Sequence, residues 1–134
     1  MPAVAYNKFT PAIESMQEAG NAGSDSYAIK LGTAVDQAAG TFTEVANGNG
    51  YTTGGNSVTV SSSTQSGGVF KLVLIDPAVW TASGAGFSFR YAILTNTTTG
   101  TNIAYWDYGS SQAVAAAETV TVDLDQSNGV YTVT

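Results

Sequence analysis

The chain has 134 residues, enough for one domain of ordinary size, and 43% of them are hydrophobic, enough for a core. Four Lys and Arg against ten Asp and Glu leave a net charge of −6, which excludes the basic footprint that nucleic acid or an anionic membrane surface requires. With no Cys and no His, thiol nucleophiles, imidazole bases, disulfides and zinc sites built on either residue are excluded as well.

Only 10% of the residues are charged, against about 25% in ordinary soluble domains. Thr, Ser, Gly, Asn and Ala take their place. A surface of neutral polar groups costs little to strip of water against a partner, a composition common in assembly proteins. The stretch Met1 to Tyr6 lacks a basic segment followed by an apolar one, so no signal peptide is expected there. No apolar run approaches the ~20 residues of a membrane-spanning helix.

In chain order, Tyr6 to Ala19 carries the one helical pattern, with Phe9, Ile13, Met16, Ala12 and Ala19 forming its apolar stripe. Thr10 and Pro11 read as N-cap and first helical residue, and Gly20-Asn21 as the stop. Ser26 to Gly32 alternates as a half-buried strand with Tyr27, Ile29 and Leu31 on one face. Thr33 to Gly40 reads as a loop or short helical turn, and Thr41 to Ala46 as a weak strand. A Gly- and Asn-rich turn region follows from Asn47 to Asn56. Ser57 to Ser61 is a β-branched alternating strand, and Ser62 to Gly68 a flexible loop. Val69 to Ile75, apolar on both faces apart from Lys71, has the pattern of a central strand covered on both sides and ended by Asp76-Pro77.

Phe87 to Thr95 and Thr101 to Tyr108 form a hairpin around a loop of about four residues. Thr119 to Leu124 and Gly129 to Thr134 alternate, and Asn128-Gly129 between them signals a second hairpin. One helix and about seven or eight short strands imply a mainly β fold: a single antiparallel β-sandwich or barrel-like domain over residues 1–134, with an N-terminal arm and helix over about 1–20. Trp80, Phe87, Phe89, Tyr91, Ile93, Leu72 and Leu74 are expected in its core.

No pattern of catalytic residues stands out. Asp76, Asp107, Asp123 and Asp125 could pair for glycoside hydrolysis, and Asp123 with Asp125 could bind calcium weakly, but solvated turn residues explain them better. Gly48-Asn49-Gly50 and Gly54-Gly55 lack the Lys-Ser/Thr pair and the helix of a phosphate loop. Tyr105, Trp106 and Tyr108 could stack on sugars, although alternation turns about half of such a run inward. Asn96-Thr97-Thr98 matches the N-glycosylation pattern, which carries no weight without a secretory signal. No cofactor and no metal are expected.

Arg90, the one arginine, lies opposite in direction to Phe87, Phe89, Tyr91 and Ile93 on its strand. A four-residue loop pairs Asn96 with Thr101, Leu94 with Ile103, Ala92 with Tyr105, and Arg90 with Asp107, an expected structural ion pair.

Several stretches together carry a resemblance: Tyr6-Asn7-Lys8-Phe9 leading into a helix, Ile29-Lys30-Leu31, Glu44-Val45 through Gly50-Tyr51-Thr52-Thr53-Gly54-Gly55, Val69-Phe70, Trp80, Arg90-Tyr91-Ala92, Tyr105-Trp106-Asp107-Tyr108-Gly109, and the closing Gly129-Val130-Tyr131-Thr132-Val133. In order and spacing they resemble small virion structural proteins of tailed bacteriophages. The resemblance implies a non-enzymatic capsid decoration or cement protein of the virion surface, made in the host cytoplasm. It implies the major capsid protein as partner and a homo-oligomer, with a trimer favoured. A tail or head–tail connector protein is the alternative within that class, and a carbohydrate-binding β-sandwich module the alternative outside it. Within the arm from Pro2 to Phe9, the apolar residues Val4, Tyr6 and Phe9 are the expected contacts with a partner. Deleting residues 2–9 is expected to leave the β domain folded.

Overall fold

Two long antiparallel strands, β8 (Phe87–Asn96) and β9 (Thr101–Val114), form the hairpin at the centre of the fold. A computed structural model describes residues 4–134. The loop closes as the sequence expects: Asn96 pairs with Thr101, and the Asn96 side-chain oxygen accepts from Thr98 N (3.0 Å) and Thr99 N (3.1 Å). Beyond it the expected register is wrong by one residue. A bulge at Ile103 sets Leu94 opposite Ala104, Ile93 opposite Tyr105, Ala92 opposite Trp106 and Tyr91 opposite Asp107. A second irregularity, between Phe89 and Tyr91, sets Phe89 opposite Gln112.

On the far side of β8 runs β2 (Tyr27–Asp36), longer than the strand expected there and extending through the first half of the segment read as a loop or turn. Its outer edge is shared by β3 (Thr41–Glu44) and β4 (Asn56–Val58), while β1 (Ala5–Lys8) adds to β9. The order of this six-stranded sheet is β1-β9-β8-β2-β3, with β4 beside β3 on β2. From Tyr27 to Leu31 and from Ala92 to Asn96 nearly every side chain is buried, because these lengths are covered on both faces.

The double coverage expected of Val69 to Ile75 is not found. That strand, β6 (Val69–Leu74), is central, but in a small sheet of order β11-β6-β5. Leu72 and Leu74 are buried whereas Lys71 and Val73 are half-exposed. Its partner β5 (Val60–Ser66) occupies the polar stretch expected to be a loop. The chain changes sheets at Thr59, between β4 and β5, so the segment from Ser57 to Ser61 is not one strand.

The expected C-terminal hairpin does not form either. β10 (Thr119–Val120) pairs with β7 (Trp80–Thr81), and β11 (Tyr131–Val133) pairs with β6. The turn signal at Asn128-Gly129 is real, but the Asp125 carboxylate organises it, accepting from Ser127 N and Asn128 N.

Among the described residues there is one helix, α1 (Thr10–Glu18). Its N-cap is Phe9 rather than Thr10, with no side-chain cap bond. Phe9, Ala12 and Met16 face the core, while Ile13 is 56% exposed and Ala19 also lies outside. The inward stripe follows spacings of three and four, and Ile13 falls one position off it. This helix is not long and apolar enough to cross a membrane.

Side chains from α1 and all three sheets form one buried cluster, including Phe9, Ile29, Leu72, Trp80, Phe89 and Val120. Of the expected core residues, Phe87 and Tyr91 are only half-buried and pack at its border. The chain is mostly β, with 52% in strands. The sheets do not close into a barrel, since β1 and β3 remain edges, and the architecture is consistent with a β-sandwich carrying one short helix.

One buried hydroxyl repairs a gap in the large sheet. Between the parts of β2 paired by β4 and by β3, Leu31 N has no strand opposite. It donates instead to the Tyr51 hydroxyl (3.1 Å), which donates to Glu44 Oε1 (2.7 Å). The same carboxylate accepts from Gly54 N (2.6 Å), and Leu31 O accepts from Val45 N (2.9 Å). Burial first, and the Glu44 carboxylate second, hold the Tyr51 phenol well above its ordinary pKa, so it remains a donor. Gly55, at φ +66°, brings the loop's backbone against β2, where a Cβ would run into the Ile29 carbonyl oxygen. Replacing Tyr51 with Phe strands the Leu31 N–H, and urea unfolding should show a loss of about 1–3 kcal/mol.

Candidate functional site

The carboxylates read as candidate acids divide by what already holds them. Asp76 Oδ1 accepts from Leu124 N at 2.8 Å, tying the end of β6 to the segment before β11. Asp125 is taken up by its own turn and by the Asn128 side chain (2.9 Å). Turn N–H and amide groups, Asn128 first, hold its carboxyl below the usual range. Asp123 is exposed and has no intramolecular partner among the described residues. Among the described residues no three acidic groups come together as a metal site would need. The Asn96 side chain is also committed, since its amide donates to Asp25 (2.7 Å) and its oxygen caps the hairpin loop. Asn96 is fully buried, which closes it as a glycan acceptor in the folded chain.

Arg90 and Asp107 form a bidentate pair, Nε to Oδ1 at 2.8 Å and Nη2 to Oδ2 at 3.1 Å. They meet diagonally, because Tyr91 rather than Arg90 stands opposite Asp107. Asp107 Oδ1 also accepts from Gly109 N at 2.8 Å, and the guanidinium carbon sits 5.2 Å from the centre of the Tyr91 ring. The Arg90 bond, helped by the Gly109 N–H, holds the Asp107 carboxyl below its ordinary range. Such a group adds stability above its unfolded pKa of about 3.9, and loses it as pH falls through the lower folded value. A double-mutant cycle on Arg90→Ala and Asp107→Ala should therefore show favourable coupling at pH 7 that disappears at strongly acid pH. Coupling that is zero at pH 7 would reject the pair.

Of the expected arm, Pro2 and Ala3 lie outside the described residues, and Ala5–Lys8 is a paired strand rather than a loose arm. Ala5 to Lys8 lie opposite Asp107 to Ala104, and Phe9 N donates to Ile103 O. Phe9 is fully buried, its ring 5.1 Å from that of Tyr105, so it is unavailable to a partner in the folded chain. This corrects the expectation that Phe9 is a contact with a partner. Tyr6 is 41% exposed and Val4 is half-buried. By alternation, the peptide groups of Tyr6 and Lys8 turn away from β9. Gln37 Nε2 donates to Lys8 O (2.7 Å), leaving those of Tyr6 on an open edge.

Tyr6 borders two grooves. One, of about 530 Å³, lies between β1, α1 and β11, the edge strand of the small sheet. Tyr6, Ile13 and Val133 line it, three of the five large apolar side chains exposed among the described residues. The other, of about 1100 Å³, has Tyr6, Trp106 and Tyr108 on one wall and residues 119–126 on the other. Of the aromatics read as a stacking surface, Tyr105 is instead buried in the core. Sequence reasoning put Ile13 in the apolar stripe of the helix and Val133 in the closing strand, and read neither as a contact residue. A helical residue one step off the buried stripe, and an edge strand's outward face, are signals visible only once the partner elements are placed.

Comparison with protein-family models, with curated proteins and with solved structures found no match.

Proposed function

We propose that the chain is a non-enzymatic assembly subunit, a virion structural protein of a tailed phage that decorates or cements the head shell as a trimer. The observation that carries this reading is the apolar groove between two sheet edges. Tyr6, Ile13 and Val133 present large side chains to solvent there, beside the open backbone of Tyr6. Exposed apolar groups gathered in one place mark contact surfaces, and an unpaired edge can accept a strand. The surrounding surface, with 10% charged residues, is cheap to desolvate. Many copies on a repeating shell turn modest contacts into lasting attachment. The order of short motifs along the chain supports the phage assignment.

The test is sedimentation with shells assembled from a tailed-phage major capsid protein, taken from the same genome as this chain. The chain should be trimeric, co-sediment with shells and raise their resistance to heat. A double variant, Ile13→Asp with Val133→Asp, should remain folded and lose attachment. A chain that stays monomeric and sediments apart from shells overturns the proposal, whereas binding to tails alone moves it to the tail or connector alternative.

A further inference from the structure

We propose that the larger groove is a saccharide site for a neutral glycan with equatorial hydroxyls, of the β-1,4-linked glucose or N-acetylglucosamine type. This goes beyond the assembly reading and does not depend on it. Two period-two alternations build the walls. On β1 and β9, Tyr6 stands opposite Trp106, and Tyr108 follows on the same face, giving a row of three aromatic rings. Across the groove, Val120, Val122 and Leu124 are buried, which turns Thr119, Thr121 and Asp123 outward into the opening.

The rings are held in place from within. Tyr6 and Trp106 meet edge to face at 5.5 Å, and Tyr108 packs the same way on buried Phe89 at 5.2 Å. Such contacts set the ring planes before any ligand arrives, lowering the ordering cost of binding. Burial, with Tyr131 nearby, pushes the Tyr6 phenol up to about 12, and burial raises that of Tyr108. Both hydroxyls therefore remain donors at neutral pH.

The opposite wall offers polar groups that are not already engaged: among the described residues the Asp123 carboxylate and the Thr119 and Thr121 hydroxyls have no intramolecular partner, while Asp125 on the same wall is held by its own turn. An aromatic wall, with the Tyr6 and Trp106 planes 69° apart, opposed by unengaged acceptors and hydroxyls matches a pyranose whose hydroxyls are equatorial. Its C–H faces lie on the rings and its O–H groups point to the far wall. Among the described residues no Lys or Arg lines the groove, so an anionic sugar would meet the Asp123 carboxylate uncompensated and that of Asp125 with only Lys71 near it.

The two tryptophans provide the readout. Trp80 is buried, whereas Trp106 lies half-exposed in the groove. On titration with cellotetraose or chitotetraose, the indole N–H resonance of Trp106 should shift saturably and that of Trp80 should not. Trp106→Ala, read on Tyr108 ring signals, should weaken binding by about tenfold or more. Asp123→Asn, at an exposed residue without internal contacts, should weaken it severalfold with unchanged thermal stability, which keeps the test independent of folding. Oligogalacturonate should leave the resonance in place. The proposal is overturned if neither neutral tetrasaccharide produces a saturable shift up to roughly 10 mM, beyond the weakest affinity of interest. It is overturned equally if both variants bind as the parent does, or if a tetra-arginine peptide shifts the resonance where the sugars do not.

Discussion

Replacing Phe89 with Ala should lower the stability of the chain by about 3–5 kcal/mol, a large share of the ~5–15 kcal/mol that holds a typical domain folded. Phe89 is fully buried, with ring neighbours in Phe87 at 6.5 Å and Tyr108 at 5.2 Å. It lies on β8 opposite Gln112 of β9, and its ring belongs to the single buried cluster, whose other members hold the walls of the space left behind. Both the transfer free energy of the ring and the cavity therefore count. Ile13→Ala serves as the control. With 56% of its surface exposed, it should move stability by no more than about 0.5 kcal/mol. A Phe89→Ala loss under about 1 kcal/mol in urea unfolding would show that the site is not the packed interior described.

Deleting residues 2–9 should have an effect at least as large, through a mechanism that the sequence alone conceals. The deletion removes Phe9 from beneath α1 and the whole of β1 from β9. Loss of a buried Phe alone costs about 3–5 kcal/mol. Removing β1 also exposes the edge of β9, inviting association through unpaired strands. The truncated chain should melt well below the parent, and should aggregate on heating where the parent does not. An unchanged melting temperature would show that β1 and Phe9 are dispensable. The expectation that this truncation leaves the β domain folded gives way to Phe9's position in the core. Attachment is therefore better probed at Ile13 and Val133, where substitution leaves the buried cluster alone.

Local pattern was informative wherever one neighbour along the chain decides the structure. The Phe87–Tyr108 hairpin is legible because Thr97 to Gly100 supply their own turn and Asn96 caps it with its own side chain. The Arg90–Asp107 pair was reached through a register that is off by one. A bidentate guanidinium spans a diagonal as well as a direct pair, so the bulge at Ile103 moved the backbone partners without separating the charges. The site was less legible. Trp106 and Tyr108 were visible as aromatics two residues apart, but their groove exists only because residues 119–125 cross in front of them.

Composition, turn chemistry and period-two alternation by themselves determined an antiparallel, mainly β chain with one short helix, because each acts within a few residues. Tertiary structure alone decided which strands pair. Residues 57–61 divide between two sheets at Thr59, and the two C-terminal strands separate to join β7 and β6. Strand pairing depends on backbone groups and apolar faces that are nearly interchangeable between short β-branched segments, so the winning partner is chosen by what buries Leu72, Trp80 and Val120 together. The same competition placed Phe9 inside and left Ile13 outside, one helical position apart from the buried stripe, because a single face of α1 meets β9.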